Sequence, residues 1–152
     1  MLRRATDGEI PAVAALIAAH PMALLQQSED WLREIAAGEA QGVLVWDRGG
    51  FAGFAVLDWD YPGVVYLYNL GVVERRRGEG CALIRAVQDE VFAEMGAHRL
   101  VCDVAFDNGA ALAAFRKAGF VQEGTMRECW EREPGDWVDC HAFSLLAREW
   151  HA

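Results

Sequence analysis

Basic residues are scarce in this chain: Lys and Arg number 14 against 23 Asp and Glu, a formal net charge of −9. A nucleic-acid partner calls for basic surface, so that class is set aside, whereas a cationic partner suits the charge. Apolar runs long enough to span a membrane are also missing. Arg3 and Arg4 precede the apolar stretch Ala12–Ala19, but Asp7, Glu9 and Pro11 interrupt the pattern a signal peptide would need, so a cytoplasmic protein is expected. Four cysteines, Cys81, Cys102, Cys129 and Cys140, show neither C-x-x-C nor Cys/His ligand spacing. That argues against a zinc site, any other metal and a disulfide scaffold. A two-residue turn at Pro134-Gly135 would set Cys129 opposite Cys140, as a reduced pair in a cytoplasmic protein. Two familiar phosphate loops fail as well. There is no G-x-x-x-x-G-K-[ST], and Leu83 stands where a G-x-G-x-x-G fingerprint needs its third glycine.

What is present is a chain of 152 residues with 53% hydrophobic content, enough for one domain, residues 1–152, with a real core. Its organising stretch is Val72–Ile84, V-V-E-R-R-R-G-E-G-C-A-L-I. An apolar β-branched and aromatic run, Val64–Val73, leads into it, and a helical pattern follows from Ala82. A strand thus meets a helix across a turn rich in Gly and Arg. Free backbone N–H groups and the positive end of a helix dipole suit such a junction to a phosphate, and Gly78 and Gly80 let an anion approach the backbone. Arg75, Arg76 and Arg77 add local positive charge on an acidic background, in a place where cations are disfavoured unless an anion joins them. An ordinary turn with a basic surface is the alternative.

The other elements follow from periodicity and punctuation. Leu2–Ala5 reads as a strand, and Asp7 caps a helix with Pro11 in its first turn and Val13, Leu16 and Ile17 on its buried face. A second helix runs from Ser28 or Asp30 through Trp31, Leu32 and Ile35 to Gly38. The segment 22–27 between them is either a plain connection or a cover over a substrate. Val43–Trp46 and Phe54–Trp59 form a hairpin through Asp47-Arg48-Gly49-Gly50, and Gly71 marks a bulge or a close backbone approach in the central strand. Leu83, Val87, Val91 and Met95 give a helix closed by Gly96. Leu100–Val104 is a buried strand, and Asp107-Asn108-Gly109 opens a helix with Leu112, Phe115 and Ala118 on one side.

Arg77-x-x-Gly80-x-Ala82 resembles the pyrophosphate loop of the GNAT superfamily of acyl-CoA-dependent N-acyltransferases. A second stretch, Asn108 through Phe115 to Gly119-Phe120, resembles the superfamily's Asn-x-x-Ala-x-x-hydrophobic-Tyr-x-x-x-Gly-Phe. A third, G-F-V-Q-E-G-T-M-R from Gly119 to a closing Glu149-Trp150, resembles the subgroup of Rim-type ribosomal-protein N-terminal acetyltransferases and related small-molecule enzymes. The resemblance runs from about Val64 to the end. It implies an α/β (α+β) GNAT fold, a mixed and mostly antiparallel sheet of about seven strands with helices on both faces. It also implies acetyl-CoA as co-substrate. By position, Leu70, Val72 and Val73 would offer backbone groups to the pantetheine arm, and Arg77, Gly78, Glu79, Gly80, Cys81 and Ala82 would hold the pyrophosphate. Asn108 would orient the arm, and Lys117 or Arg116 would meet a nucleotide phosphate. Phe115 stands where many members place the Tyr that protonates the leaving thiolate, which leaves water or Tyr68 for that role.

Amine acylation needs a proton acceptor, a stabilised oxyanion and a thiolate that departs. A lysine-type amine of pKa about 10.4 is neutral in about one molecule in 10³ at pH 7, whereas an α-amine near ~7.8 is far easier to deprotonate. A site without an evident base therefore leans towards α-amines. Candidates for a base or relay are Asp58, Tyr66 or Tyr68, and His141, each more readily read as a packing or surface residue. Glu128, Glu131, Glu133, Asp136 and Asp139, with Asp58 and Asp60, suit a cationic small-molecule or peptide amine. Trp130 and Trp137 flank the same hairpin as substrate wall, dimer surface or core, and exposed apolar residues on the last strands are compatible with a homodimer. Besides a transferase, the pattern admits an acyl-CoA-binding module without turnover, for which Phe115 argues. A toxin acetylating charged transfer RNA is disfavoured by the acidic balance.

Overall fold

Two faces of one sheet need covering, because its central strands are apolar on both sides: Val43, Leu44, Val45 and Trp46 are all buried in succession, as are Phe54 to Leu57. The computed structural model describes residues 1–75 and 78–151. Seven strands, β1 (Leu2–Arg4), β2 (Gln41–Asp47), β3 (Phe51–Asp58), β4 (Val64–Val72), β5 (Arg99–Ala105), β6 (Val121–Glu133) and β7 (Asp136–Leu146), lie in the order β1-β2-β3-β4-β5-β7-β6. Every neighbouring pair is antiparallel except β4 and β5. Helices α1 (Ile10–Ala18) and α2 (Glu29–Ala37) cover one face, packing Ile10, Val13, Ile17, Leu32 and Ile35 on Val43, Val45, Phe54 and Val56. Helices α3 (Glu79–Asp89) and α4 (Gly109–Lys117) cover the other, where Leu83, Val87, Leu112 and Phe115 meet Leu44, Leu57, Leu67 and Leu100. The expected α/β fold is thus the observed one.

Local chemistry sets the helix ends. Ser28 caps α2 by accepting from the Trp31 N–H at 3.1 Å, and the Asn108 amide oxygen caps α4 by accepting from Ala111 N–H at 3.2 Å. Helix α3 starts at Glu79, three residues before the expected Ala82, because Gly78 takes the left-handed conformation (φ 74°) and turns the chain into the helix. Its C-terminal end widens over Glu90–Glu94, where Met95 N–H bonds back to Glu90 O.

The central strand carries its bulge at Tyr68, not at Gly71: Asn69 pairs with Val56 while Leu67 pairs with Leu57. The extra residue reverses the alternation of side chains, so Leu70 and Val72 share the α3/α4 face with Val65 and Leu67. Gly71 is instead a close approach, since a Cβ there would stand 2.8 Å from Phe54. In the last hairpin Glu133 pairs with Asp136 around Pro134-Gly135, but irregularities further along set Met126, not Cys129, opposite Cys140. Among the described residues no helix is long and apolar enough to cross a membrane, and no group of three His, Cys, Asp or Glu is arranged to hold a metal ion.

Candidate active site

Parallel pairing of β4 with β5 begins at Val64↔Arg99 and stops at Leu67↔Cys102, although β4 runs on to Val72 and β5 to Ala105. Past that point the strands part, and backbone groups along Tyr68–Val72 and Asp103–Ala105 no longer bond across the gap. A cleft of about 570 Å³ occupies this opening. Its two ends differ in chemistry.

One end is built by the start of α3. Gly78, Glu79, Gly80 and Cys81 line it together with Leu70, Val72 and Asn108. A Cβ placed on Gly78 or Gly80 would meet nothing within 4 Å, so the first turn of the helix opens freely to the cleft. Unpaired N–H groups at a helix start and the dipole behind them suit an anion. Glu79 would oppose one, but its carboxylate is turned to Trp46, which donates from Nε1 at 2.9 Å, and to the Arg48 guanidinium at 3.1 Å. Those two partners hold its pKa below the usual carboxylate range. Arg75 also lines the cleft, with a guanidinium nitrogen 3.3 Å from His20 Nδ1. Arg77 lies outside the described residues. Phe115, only 6% exposed, forms the inner wall and packs edge-on to Phe120 and stacked on Phe143.

The other end is walled by the α1–α2 connection, through Ala23, Leu24 and Leu25, and by the β6–β7 hairpin, through Met126, Cys129 and Trp130. The connection therefore borders the cleft. Asn69, buried on β4, pins it by donating to Leu25 O at 2.7 Å and to Gln27 Oε1 at 3.0 Å. Tyr68, pushed out by the bulge and 44% exposed, stands in the cleft with its ring 4.4 Å from that of Tyr66. Asp103 lines the same space from β5; it is open to solvent as a residue, but the protein packed around its carboxyl raises its pKa from the ordinary Asp value. All four cysteines border the cleft; burial pushes the Cys102 thiol up to about 12 and keeps it protonated.

Several expected residues lie elsewhere. Asp58, at the end of β3, accepts from Gln41 Nε2 at 2.8 Å and from Asp60 N–H at 2.9 Å, away from the cleft. His141 alternates with Cys140 on β7, so its ring turns from the cleft towards Thr125 Oγ1 at 2.9 Å and Gln122 at 3.2 Å. Ala82 packs against the core, Val73 is exposed at the strand end, and Lys117 sits in the last turn of α4; none of the three lines the cleft. Asp103 lines the cleft without being among the sequence expectations; its one signal in the sequence is a carboxylate inside the otherwise apolar strand Leu100–Val104.

The sequence profile of the Acetyltransferase (GNAT) family matches residues 11–120. An uncharacterized N-acetyltransferase, p20 of Bacillus licheniformis, is 26% identical over 101 residues, a match spanning 66% of this chain and 56% of that protein. The chain thus spans little more than half the length of that relative. Among solved structures, the fold resembles a spermidine N-acetyltransferase from Vibrio cholerae in complex with CoA and spermine, with TM-score 0.84 and 20% identity, covering 100% of this chain and 98% of the other. It also resembles a ribosomal-protein-alanine N-acetyltransferase from Brucella melitensis, with TM-score 0.78 and 23% identity, covering 96% and 99%.

Proposed function

This chain belongs to the acetyltransferase (GNAT) family, a family of acyltransferases, and from that premise we propose that it moves an acetyl group from acetyl-CoA to a primary amine in the β4–β5 cleft. The observation that carries the reading is one cleft lined both by an open helix start and by a carboxylate whose pKa is raised and which has no ion-pair partner among the described residues. Gly78, Gly80 and the α3 N-terminus would hold the coenzyme's phosphates, and the freed backbone of Tyr68–Val72 its arm. Asn108, whose oxygen is committed to capping α4, keeps its amide N–H groups for that arm.

At the far end, Asp103 would accept a proton from the incoming ammonium. The neutral nitrogen attacks the thioester carbon, the resulting tetrahedral adduct collapses as the C–S bond breaks, and the nitrogen's surplus proton passes to the departing thiolate. Burial raises the affinity of Asp103 for a proton, which brings this carboxylate closer to the pKa range of a working base. Tyr68, which lines the cleft, would relay that proton to the thiolate, a role that Phe115 cannot fill. A net charge of −9 and the carboxylate at the acceptor end favour a cationic amine, either a small polyamine-like molecule or a peptide N-terminus.

The alternative reading is a coenzyme-binding module without turnover, favoured by Phe115 alone. Both would bind acetyl-CoA, so turnover separates them. The test is acetyl-CoA-dependent thiol release with pooled polyamines, aminoglycosides, amino acids and peptides with free or blocked N-termini. Release with one pool is the expected result and identifies the acceptor class. Acetyl-CoA binding without release in any pool would favour the module, and no binding would overturn both readings.

A further inference from the structure

We propose that Arg132 is a positioning residue for the acceptor, a strap that ties the α1–α2 connection, the turn before α4 and the β6–β7 hairpin into one wall and makes no contact with the α3 helix start that would hold the coenzyme's phosphates. β6 is the edge strand and most of its residues are exposed, yet the Arg132 side chain is only 6% exposed. Its Nη1 donates to Met22 O at 3.2 Å, and to the two Asp107 carboxylate oxygens at 2.8 and 3.0 Å. Its Nε is buried without a hydrogen-bond partner, 3.6 Å from an Asp136 oxygen, and the guanidinium carbon lies 5.8 Å from the Trp130 ring centre.

Two of the contacts lead to walls of the acceptor end, and the third to the turn that carries Asn108. Met22 precedes Ala23–Leu25, Asp107 precedes Asn108, and Trp130 lines the cleft itself. The tie to Met22 spans 110 residues of sequence, so no local geometry could replace it. Charge-assisted bonds to Asp107 hold that carboxyl below its usual range, while the same guanidinium lies over the Trp130 ring and reaches a carbonyl. A lysine ammonium, a point charge on a flexible stem, would keep the ion pair but not the bridge to Met22 O as well. With Glu79 paired to Arg48, and Asp107 and Asp136 to Arg132, Asp103 is the cleft-lining carboxylate without an ion-pair partner among the described residues.

The kinetic arm of the test rests on the acyl-transfer reading, and the exchange arm does not. Amide hydrogen exchange, acetyl-CoA affinity by calorimetry, and KM and kcat for whichever of spermidine or an alanine-headed peptide the wild type acetylates are compared in wild type, Arg132→Gln and Arg132→Lys. In Arg132→Gln, exchange is expected to quicken about 10-fold or more in residues 19–28 and 106–110 and to stay unchanged in 79–89. Acceptor KM is expected to rise about 10-fold with kcat and coenzyme affinity within about 3-fold, and Arg132→Lys to restore protection at 106–110 but not at 19–28. Uniformly faster exchange with an equal loss of coenzyme affinity would reduce Arg132 to a stability residue and overturn the proposal, as would an unchanged acceptor KM. If neither amine is acetylated, the failure belongs to the acceptor reading, and the exchange pattern alone decides the strap.

Discussion

At the α3 end of the cleft, geometry comes from residues close in sequence: a strand ends at Val72, Gly78 turns left-handed, and a helix begins at Glu79 within the same short stretch. At the hairpin end, the working surface is assembled from Leu25, Asp103, Cys129 and Trp130, which share no local motif, and is held by long-range ties from Asn69 and Arg132. In the proposed function the coenzyme end is specified by a backbone conformation that few residues can adopt, and the acceptor end by which side chains the sheet brings together, so different side chains would serve a different amine on the same backbone.

The largest expected effect breaks one end and spares the other. Gly80→Trp fills the open space before α3 without a clash at its Cβ. Acetyl-CoA affinity measured by calorimetry is expected to fall more than about 1,000-fold, roughly 4 kcal/mol, with the melting temperature unchanged. Retained affinity would remove the phosphate-loop assignment.

Asp103→Asn should do the reverse, lowering kcat/KM for the amine about 100-fold while leaving coenzyme binding intact. If Asp103 is the base it works deprotonated, and its pKa is raised, so wild-type activity should rise with pH through a limb lying above the ordinary Asp value. That limb should vanish in the variant. A limb unchanged in Asp103→Asn would assign the base elsewhere.

Asn69→Leu removes two hydrogen bonds from a buried amide and leaves Leu25 O unpaired, a cost of about 1–3 kcal/mol in urea unfolding. Acceptor KM should rise with it, because the α1–α2 connection loses its anchor; equal effects on both substrates would deny the division of the cleft.

The smallest effect is a control outside both ends. Arg3 binds Glu9 at 2.8 Å and draws its pKa from 4.5 to about 2. A depressed carboxylate contributes stability that is present above its unfolded pKa and lost as pH falls through the folded one. The stability gap between wild type and Glu9→Gln should be small at pH 7 and close between pH 4.5 and about 2, with kinetics unaffected.

Reading the chain residue by residue located most elements, because apolar period and end-signals are local: Ser28 and Asn108 cap where expected, and Pro134-Gly135 closes the last hairpin. Errors arose where pairing decided the outcome. The bulge fell on Tyr68, where a one-residue offset against β3 can be seen only once β3 is in place. Asp58 and His141 looked suitable as acids and bases, but strand alternation and neighbouring amides took both away from the cleft. Asp103 was legible only as an anomaly in an apolar strand.

By itself, the sequence determined that a strand would run into a glycine-framed helix start able to receive an anion, since the left-handed turn and the helix dipole depend on a few adjacent residues. Tertiary structure alone decided that β4 and β5 would part after Leu67 and Cys102, and that Asp103 would stand in the gap. It also decided that Arg132 would reach Met22 across 110 residues. Those placements depend on strand register and on bonds between distant segments, and neither is written in the order of neighbouring residues.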